Sequence, residues 1–285
     1  MDEDFRSPPY FDLLFQRLAN QHPGTVTAFG KHVHWGHWSE PEKAGLEASE
    51  YAAAAEQLCD LVCDAASIEA GQTVVDVGCG FGGTIDRLNQ QQTGLKLCGI
   101  NIDARQLERA REQVVANEGN EIEFLTAAAE RLPLSDASCE RVLSVEAVFH
   151  FDREAFFHEV TRVLKPGGRL TLCDFVPAER MVTFLAQADL SADDAIRWAY
   201  GSIDLTYSLN AYQRLADTVG LQLDKVENIN AGTLPTYPFL YHNIQDWKDP
   251  RDIDRFTRAT RWLEKASRKQ MLCYTILTFV KPRRG

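Results

Sequence analysis

VVDVGCGFGG, residues Val74–Gly83, joins a run of β-branched residues to a cluster of glycines. The run predicts a buried strand, and the glycines predict a tight turn into a helix. Glycine lets the backbone approach a ligand closely and leaves the amide groups at the start of the helix unobstructed. The stretch therefore predicts a ligand site at the end of a strand, in competition with a strand-to-helix turn that binds nothing.

Strands and helices alternate downstream of this turn. We predict helices over Thr84–Gln91, Ala104–Asn117 and Arg153–Leu164, the last one ended by Pro166-Gly167-Gly168. Strands are predicted between them and near the end of the chain, in LKLCGI (95–100), IEFL (122–125), RVLSVEAVFH (141–150), RLTLCDF (169–175), LQLDKVEN (221–228) and MLCYTILTFV (271–280). Such alternation predicts an α/β protein whose parallel sheet is covered on both faces.

The segments outside this pattern are predicted to form a lid and a cap within a single domain. We divide the chain into an N-terminal helical lid segment (1–70), a core (71–175), a helical cap insertion (176–209) and a C-terminal completion of the core (210–285). The last segment carries an inserted helix over Asp252–Lys269. A chain of 285 residues is long for one domain and short for two, so one core with an elaborated cap fits best.

Two ligands compete for the glycine turn. Gly78, Gly80 and Gly83 satisfy G-x-G-x-x-G, and Asp103 lies where a dinucleotide fold keeps its ribose-binding acid. However, Asp76 lies inside the strand, where a carboxylate is costly to bury without a partner. Such a carboxylate suits a cationic amino group better than a pyrophosphate.

Further motifs favour the ligand with a cationic amino group over the dinucleotide. AERLPLSDASCERVLSVEAVFHF (129–151) and RVLKPGGRLTLCDF (162–175) closely resemble the class I S-adenosylmethionine-dependent methyltransferases. The chain is most similar to the small-molecule branch that contains rebeccamycin sugar O-methyltransferase, tocopherol-type C-methyltransferases and cyclopropane fatty acid synthases. The resemblance runs from about Phe11 to Pro282. It implies a Rossmann-like, seven-stranded, mostly parallel sheet, S-adenosylmethionine as methyl donor and S-adenosylhomocysteine as product.

The resemblance also implies cofactor-binding residues. Asp76, Gly78 and Gly80 would bind the methionine end. Most family members have an acid at the end of the second strand to bind the ribose hydroxyls, whereas this chain has Asn101, accompanied by Ile102 and Gln106. An Asn side chain can still hydrogen-bond a hydroxyl.

Three more residues are implied around the base and the donor. The family's adenine-binding acid is replaced by Ala128, so Ala129 and Glu130 would hold the adenine mainly through the backbone. Glu146 would add backbone contacts to the cofactor. Asp103 is either a substitute ribose ligand or the N-cap of the helix that follows.

The predicted catalytic residues are His150 and Asp174. In similar O-methyltransferases, a histidine that ends the fourth strand and an acid that ends the fifth lie beside the acceptor hydroxyl. An imidazole with a pKa near 6.5 is well suited to accept the hydroxyl proton. The alternatives are a histidine that only packs or caps and a carboxylate that only orders its loop.

The stretch HVHWGHW, residues 32–38, allows three interpretations: a metal site, aromatic packing or a lid. Its histidines follow no tetrahedral zinc spacing and have no cysteine nearby, so we predict no metal. Residues His34–Trp38 match an aromatic segment that covers the cofactor in similar methyltransferases, with His37 in place of the usual aromatic hydroxyl. We therefore predict a lid in which Trp38 contacts the cofactor.

Composition limits the partners. The net charge of −11 argues against binding to nucleic acid or anionic membranes, and no run of about 18 apolar residues exists. Seven cysteines without a CxxC pair favour a reducing, cytoplasmic location, and a homo-oligomer is possible. Some aromatic residues of the cap could face a sizeable, partly apolar small-molecule acceptor: Trp198, Tyr200, Tyr207, Tyr237, Phe239 and Tyr241.

Our leading hypothesis is O-methylation of a small natural product, with His150 as general base assisted by Asp174. The alternatives are C- or N-methylation, in which His150 orients the acceptor, and a cofactor-binding partner protein without catalytic activity. A nicotinamide-dependent oxidoreductase ranks below these.

Overall fold

The centre of the molecule is one seven-stranded sheet. A computed structural model describes residues 8–188 and 193–283; residues 1–7, 189–192 and 284–285, which belong to the predicted lid, cap and C-terminal segments, lie outside the described residues. The strands in chain order are β1 (Thr73–Val77), β2 (Lys96–Asn101), β3 (Glu121–Thr126), β4 (Cys139–Val145), β5 (Leu164–Pro177), β6 (Gln222–Asn228) and β7 (Leu272–Val280).

The strand order explains where a ligand can bind. Across the sheet the order is β3-β2-β1-β4-β5-β7-β6. Only β7 runs antiparallel to its neighbours, so the predicted Rossmann-like, mostly parallel sheet is confirmed. From β1 the chain builds β2 and β3 on one side of the sheet, and it then crosses to β4 on the other side of β1. The carboxyl ends of β1 and β4 therefore form the crevice at which open α/β sheets bind ligands.

Helices cover both faces of the sheet. They are α1 (Pro9–Ala19), α2 (Pro23–Phe29), α3 (Ala48–Ala66), α4 (Gly83–Gln91), α5 (Ala104–Gln113), α6 (Arg153–Val163), α7 (Glu179–Gln187), α8 (Asp194–Tyr200), α9 (Leu209–Val219), α10 (Asn230–Thr233), α11 (Thr236–Asn243) and α12 (Pro250–Arg268). Apolar residues of α3, α4, α5 and α12 form one core cluster with the sheet, and those of α6 and α9 form another. Val74 and Val75 are adjacent in β1 but belong to different clusters, because side chains alternate across a strand.

A third cluster joins the segments that were predicted to form the lid and cap. It contains apolar residues of α1, α2, α8, α11 and α12, together with Phe81 of the glycine turn. The cap therefore packs directly on the predicted ligand site. The division of the chain at residues 70, 175 and 209 stays a prediction.

Some predicted elements differ from the structure. The residues predicted to end the helix, Pro166–Gly168, lie within β5, which begins at Leu164 directly after α6 and pairs irregularly with β4 there. The helix α11 was not predicted, since Pro235 and Pro238 interrupt any apolar period in this stretch. Within the described ranges no helix is long and apolar enough to cross a bilayer. All seven cysteines are free.

Candidate active site

A cavity of about 250 Å³ opens at the carboxyl ends of β1, β2 and β4. The glycine turn forms its floor. Residues 32–38, here called the covering segment, lie before α3 and cover one side. Aromatic residues of the N-terminal helices and the cap form the far wall. Nine of the ten residues predicted to bind the cofactor line this cavity: Asp76, Gly78, Gly80, Asn101, Ile102, Gln106, Ala129, Glu130 and Glu146. The exception is Trp38.

The glycine turn requires glycine at two of these positions. Gly78 and Gly80 have φ angles of +80° and +54°, which other residues adopt only at a cost. A Cβ atom on Gly78 would lie 2.4 Å from the Cβ atom of Ala147. The amide of Gly78 donates to the carbonyl of Ile100 at 2.8 Å, which fixes the turn against β2. Side-chain-free backbone therefore faces the cavity.

Asp76 presents a buried carboxylate to the cavity. Its residue is 1% exposed, and its Oδ1 atom has no hydrogen-bond partner among the described residues. Burial raises the pKa of Asp76 to about 7, although the Thr84 hydroxyl lowers it in part. A buried, unpartnered carboxylate oxygen is costly, so this position fits a cationic amino group of a ligand.

The residues after β2 form a polar pair. Asn101 donates through Nδ2 to Oε1 of Gln106 at 2.9 Å, and both side chains line the cavity. Asp103 lies behind them and does not line it. Its side chain accepts a hydrogen bond from the Arg105 amide at 3.0 Å, so Asp103 is the N-cap of α5.

Glu146 connects the sheet to the segment that covers the cavity. Its φ angle is +52°, and its Oε2 atom accepts hydrogen bonds from the Trp35 amide at 2.8 Å and from the Tyr274 hydroxyl. Burial raises the pKa of Glu146 to about 8, despite these two donors. The side chain of Glu146 therefore holds the covering segment, and its predicted backbone contacts to the cofactor stay a prediction.

Within the covering segment, His32 and His34 form a hydrogen-bonded pair. Nδ1 of His34 lies 2.9 Å from the Trp35 carbonyl, and its Nε2 lies 2.9 Å from Nδ1 of His32. Because a carbonyl only accepts, His34 must carry its proton on Nδ1. Burial lowers the pKa of His34 to about 3, so the ring is neutral. In the described part of the chain, no group of three potential ligands is arranged to hold a metal ion.

Trp38 and His37 lie outside the cavity, which corrects the predicted contact of Trp38. The backbone amide of Trp38 donates to the Gly232 carbonyl at 2.9 Å, and its ring packs against Tyr51. Gly36 packs so closely on α3 that a Cβ atom there would lie 2.7 Å from the Cβ atom of Ala54. This contact directs the following residues away from the cavity, and Trp35 lines it instead.

His150 lies in the cavity wall, on a short 3-10 turn (Val148–His150) that follows β4. Its Nδ1 atom lies 2.9 Å from the Ser202 carbonyl and must therefore carry a proton. In the neutral ring, Nε2 is then an unprotonated acceptor. The edge of the ring is exposed to the cavity, but the surrounding protein walls lower the pKa of His150 by desolvation, against the opposing effects of Ser202 and Asp174.

Asp174, predicted to lie beside the acceptor hydroxyl and to assist His150, has other hydrogen-bond partners. The carboxylate is fully buried and does not line the cavity. It accepts hydrogen bonds from Nη2 of Arg153 at 2.9 Å, from the Phe175 amide at 2.7 Å and from the Tyr212 hydroxyl. No hydrogen bond joins it to His150 in the described ranges. Its partners come from α6 and α9, so sequence position alone could not reveal them.

Most of the cap aromatics named from the sequence pack elsewhere. Only Tyr200 of the six lines the cavity. Tyr237, for example, is buried and hydrogen-bonded to Ser267 at 2.8 Å. The aromatic wall is instead formed mainly by residues that the sequence did not single out: Tyr10, Phe11, Phe29, Tyr51, Phe149 and Phe256.

Comparison with known proteins identifies the family. Residues 75–172 match the family model described as a methyltransferase domain. The chain is 31% identical over 216 residues to the methyltransferase GfsG of Streptomyces halstedii, which covers 74% of this chain and 73% of that protein. The chain belongs to the class I S-adenosylmethionine-dependent methyltransferases.

A further curated relative and a solved structure match nearly the whole chain. The 27-O-demethylrifamycin SV methyltransferase of Amycolatopsis mediterranei is 28% identical over 89% of this chain and 91% of its own. The structure of the cyclopropane synthase MmaA2 from Mycobacterium tuberculosis has a TM-score of 0.76 at 18% identity, over 98% of this chain and all of that one. The latter similarity shows the shared fold.

The methyltransferase's cofactor is S-adenosylmethionine, and the residues of the cavity fit it. The unpartnered Oδ1 atom of Asp76 suits the amino group of the cofactor's methionine end. The close-packed glycines leave room for a ligand against the backbone. The polar pair after β2 offers hydrogen-bonding groups that suit ribose hydroxyls.

Proposed function

We propose that this methyltransferase methylates a hydroxyl oxygen of a small natural product, with His150 as general base. Support comes from the geometry of His150: the Ser202 carbonyl occupies Nδ1, so Nε2 is the proton acceptor on a ring that lines the cavity. The Asp174 carboxylate forms no hydrogen bond with His150 among the described residues. When bound, the cofactor supplies a methyl group made electrophilic by the attached sulfonium.

In this proposal, three sets of residues hold the cofactor. Asp76 binds its amino group, with Gly78 and Gly80 providing backbone contact. Asn101, Ile102 and Gln106 contact the ribose, and Ala129 and Glu130 contact the adenine. Glu146 keeps Trp35 over the site through the 2.8 Å hydrogen bond to its amide, which limits the access of water.

The proposed acceptor is sizeable, largely apolar and without phosphate or carboxylate groups near the reacting hydroxyl. The wall opposite the glycine turn is aromatic, and the charged lining residues include Asp76, Glu130 and Glu146. Lys31 is the single lysine or arginine that lines the cavity within the described ranges, and its ammonium group is paired with Asp86 at 2.6 Å. A relative named as acting on 27-O-demethylrifamycin SV favours a polyketide-like acceptor.

Substitution of His150 tests the proposed base. We would screen hydroxylated polyketides, including 27-O-demethylrifamycin SV, with labelled S-adenosylmethionine and then compare variants on the best acceptor. His150→Gln should lower kcat by about 10²- to 10⁴-fold, because the hydroxyl proton loses its acceptor. The matched control is His158→Gln, since His158 is exposed on α6 and should not affect kcat. Full kcat of His150→Gln between pH 6 and pH 9 would contradict the proposal.

A second candidate is C- or N-methylation on the same scaffold, with His150 orienting the acceptor. A relative named as the sterol 24-C-methyltransferase of Pneumocystis carinii, 26% identical over 211 residues, favours it. Nuclear magnetic resonance of the product separates the candidates, since the methyl carbon correlates with the atom that carries it. Turnover of any acceptor excludes a catalytically silent cofactor-binding protein. Cytoplasmic location and homo-oligomerisation stay predictions.

A further inference from the structure

Arg153 is the largest fully buried side chain among the described residues, at 2% exposure. It lies at the start of α6 with its guanidinium group inside the protein. A buried guanidinium is stable only when its donors are paired. Neither composition nor motif singled it out, because its partners are 21 to 59 residues away in the chain.

The partners of Arg153 form a compact network. Nη2 donates to Oδ2 of Asp174 at 2.9 Å and to the backbone carbonyl of Asp204 at 2.8 Å. Nε donates to the Tyr212 hydroxyl at 2.9 Å, and that hydroxyl donates to Asp174. The guanidinium carbon also lies 4.5 Å from the centre of the Tyr207 ring, a cation–π contact.

One side of this network is the sheet, and the other is the segment 202–206. Asp174 lies within β5, and its carboxylate accepts a hydrogen bond from the Phe175 amide. The Asp204 carboxylate forms an ion pair with the Arg153 guanidinium at 3.3 Å. The Asp204 amide donates to the Phe149 carbonyl at 2.8 Å. Thus the buried ion pair fastens the segment 202–206 beside the turn that carries His150.

The same segment decides which nitrogen of His150 carries the proton. The Ser202 carbonyl, two residues before Asp204, accepts from Nδ1 of His150 at 2.9 Å. If the segment moved, this acceptor would be lost, and Nε2–H, the common alternative form, would become available to the neutral ring. With its proton on Nε2, the neutral ring cannot accept another there.

We propose that Arg153 and Asp174 are positioning residues of the active site, which fix segment 202–206 so that Ser202 keeps the His150 proton on Nδ1. Asp174 thus acts on His150 through Arg153 and the peptide of residues 202–206, without direct contact. The role in catalysis rests on the proposed function of His150 as the base. The effect on the proton position does not, and it can be measured without an acceptor.

The test uses the full chain labelled with ¹⁵N-histidine and long-range ¹H–¹⁵N spectra at pH 8, where the lowered pKa leaves His150 neutral. Comparison with His150→Gln assigns the ring. In the wild-type protein, Nδ1 should give a protonated resonance and Nε2 an unprotonated one. In the double variant Arg153→Met/Asp174→Leu, the two resonances should move toward each other, as a mixture of tautomers forms.

The double variant is chosen because it removes both buried charges together, which is tolerated far better than removal of one. A second variant, Asp204→Ala, alters a side chain that is 43% exposed, so little risk to folding is expected. It should shift the same resonances in the same direction but by less, because it removes the side-chain ion pair with Arg153 and leaves the hydrogen bond to the Asp204 carbonyl. Asp60→Asn is the control: it breaks a pair with Arg87 at 2.7 Å, far along the chain on α3 and α4, and should leave the His150 resonances unchanged.

The outcomes are distinct. If both test variants fold and keep the wild-type His150 resonances, the positioning role is wrong. If the resonances shift as much in Asp60→Asn, the effect is general loosening, and the positioning role is again wrong. If they shift only in the test variants, the positioning role holds, even where kcat of His150→Gln shows that His150 is not the base.

Discussion

Asp76 and Glu146 are the residues of the candidate active site whose burial is energetically most unfavourable. Both are carboxylates within the protein, and burial raises the pKa of the first to about 7 and of the second to about 8. Glu146 has two hydrogen-bond donors, whereas one oxygen of Asp76 has none among the described residues. A cationic ligand would remove most of this cost at Asp76, so stability and cofactor binding are linked at this residue.

The raised pKa of Asp76 predicts a pH-dependent stability difference. The pKa of Asp76 is about 7 in the folded protein and has an ordinary value of 3.8, which we take for the unfolded chain. Between these pH values the folded state therefore binds more protons than the unfolded state. The free energy of unfolding therefore falls as the pH rises through this window. Asp76→Asn removes the effect, so relative to the wild type it should gain about 1 kcal/mol per pH unit between pH 5 and pH 7.

Urea unfolding without cofactor at pH 5, 6, 7 and 8 measures this difference. Other groups, such as His34 with its lowered pKa, change stability with pH in the opposite direction. They are common to both proteins and cancel in the comparison. Parallel stability curves for the wild type and the variant would show that Asp76 is ionised in the folded state throughout.

Among the elements, the covering segment depends most on close packing. Residues 32–38 are fastened by the Glu146 side chain and by backbone hydrogen bonds to the carbonyls of Ala54 and Gly232, at 2.8 and 2.9 Å. Gly36 lies between these contacts and touches α3. A change of one methyl group at this position should therefore loosen the whole segment.

Gly36→Ala should destabilise the protein by about 1–3 kcal/mol and weaken binding of S-adenosylhomocysteine. The added Cβ atom would lie 2.7 Å from the Cβ atom of Ala54 and 2.8 Å from the Trp38 ring. The matched control is Gly24→Ala in α2, whose Cβ atom would meet nothing closer than 3.7 Å. Thermal unfolding and calorimetric titration measure both variants. Equal behaviour of the two would mean that the segment is not tightly packed on α3.

Sequence predicted those parts of the site that local pattern determines. The glycine turn, Asn101 at the end of β2 and His150 after β4 lie in the cavity because strand ends and short turns fix their positions. The partners of Asp174 could not be predicted, since Arg153 and Tyr212 reach it only after α6 and α9 pack on the sheet. The position of Trp38 could not be predicted either, because it depends on the contacts of residues 36–38 with α3 and with Gly232.

At the scale of the whole molecule, the cap and the sheet are continuous. Apolar residues of α1, α2, α8, α11 and α12 share one cluster with Phe81, which belongs to the glycine turn. The helix α12 also contributes Leu263 and Ala266 to the core cluster beneath the sheet. The aromatic wall of the cavity is thus built on the same core that forms the cofactor site.

We therefore expect the cap and the sheet to unfold in one transition. Trp35, Trp38, Trp198, Trp247 and Trp262, the five tryptophans, all lie in the covering segment, the cap or its neighbouring helices. Four of them pack in or against the third cluster and Trp35 packs on the sheet, so fluorescence reports mainly on the cap, while far-ultraviolet circular dichroism reports on the whole chain. The two midpoints should coincide and should rise together with S-adenosylhomocysteine. A fluorescence midpoint that precedes the other would show an independently unfolding cap.

We propose above all that the crevice at the ends of β1 and β4 binds the cofactor, with the buried Asp76 carboxylate on its amino group. Isothermal titration of S-adenosylhomocysteine at pH 8 into the wild type, Asp76→Asn and Asp64→Asn tests it most directly. Asp64 is exposed on α3 and serves as the control. We predict binding about 10- to 100-fold weaker in Asp76→Asn and unchanged in Asp64→Asn, because a charge-assisted hydrogen bond is lost. Equal affinity of Asp76→Asn and the wild type, or no binding to the wild type, would contradict the account.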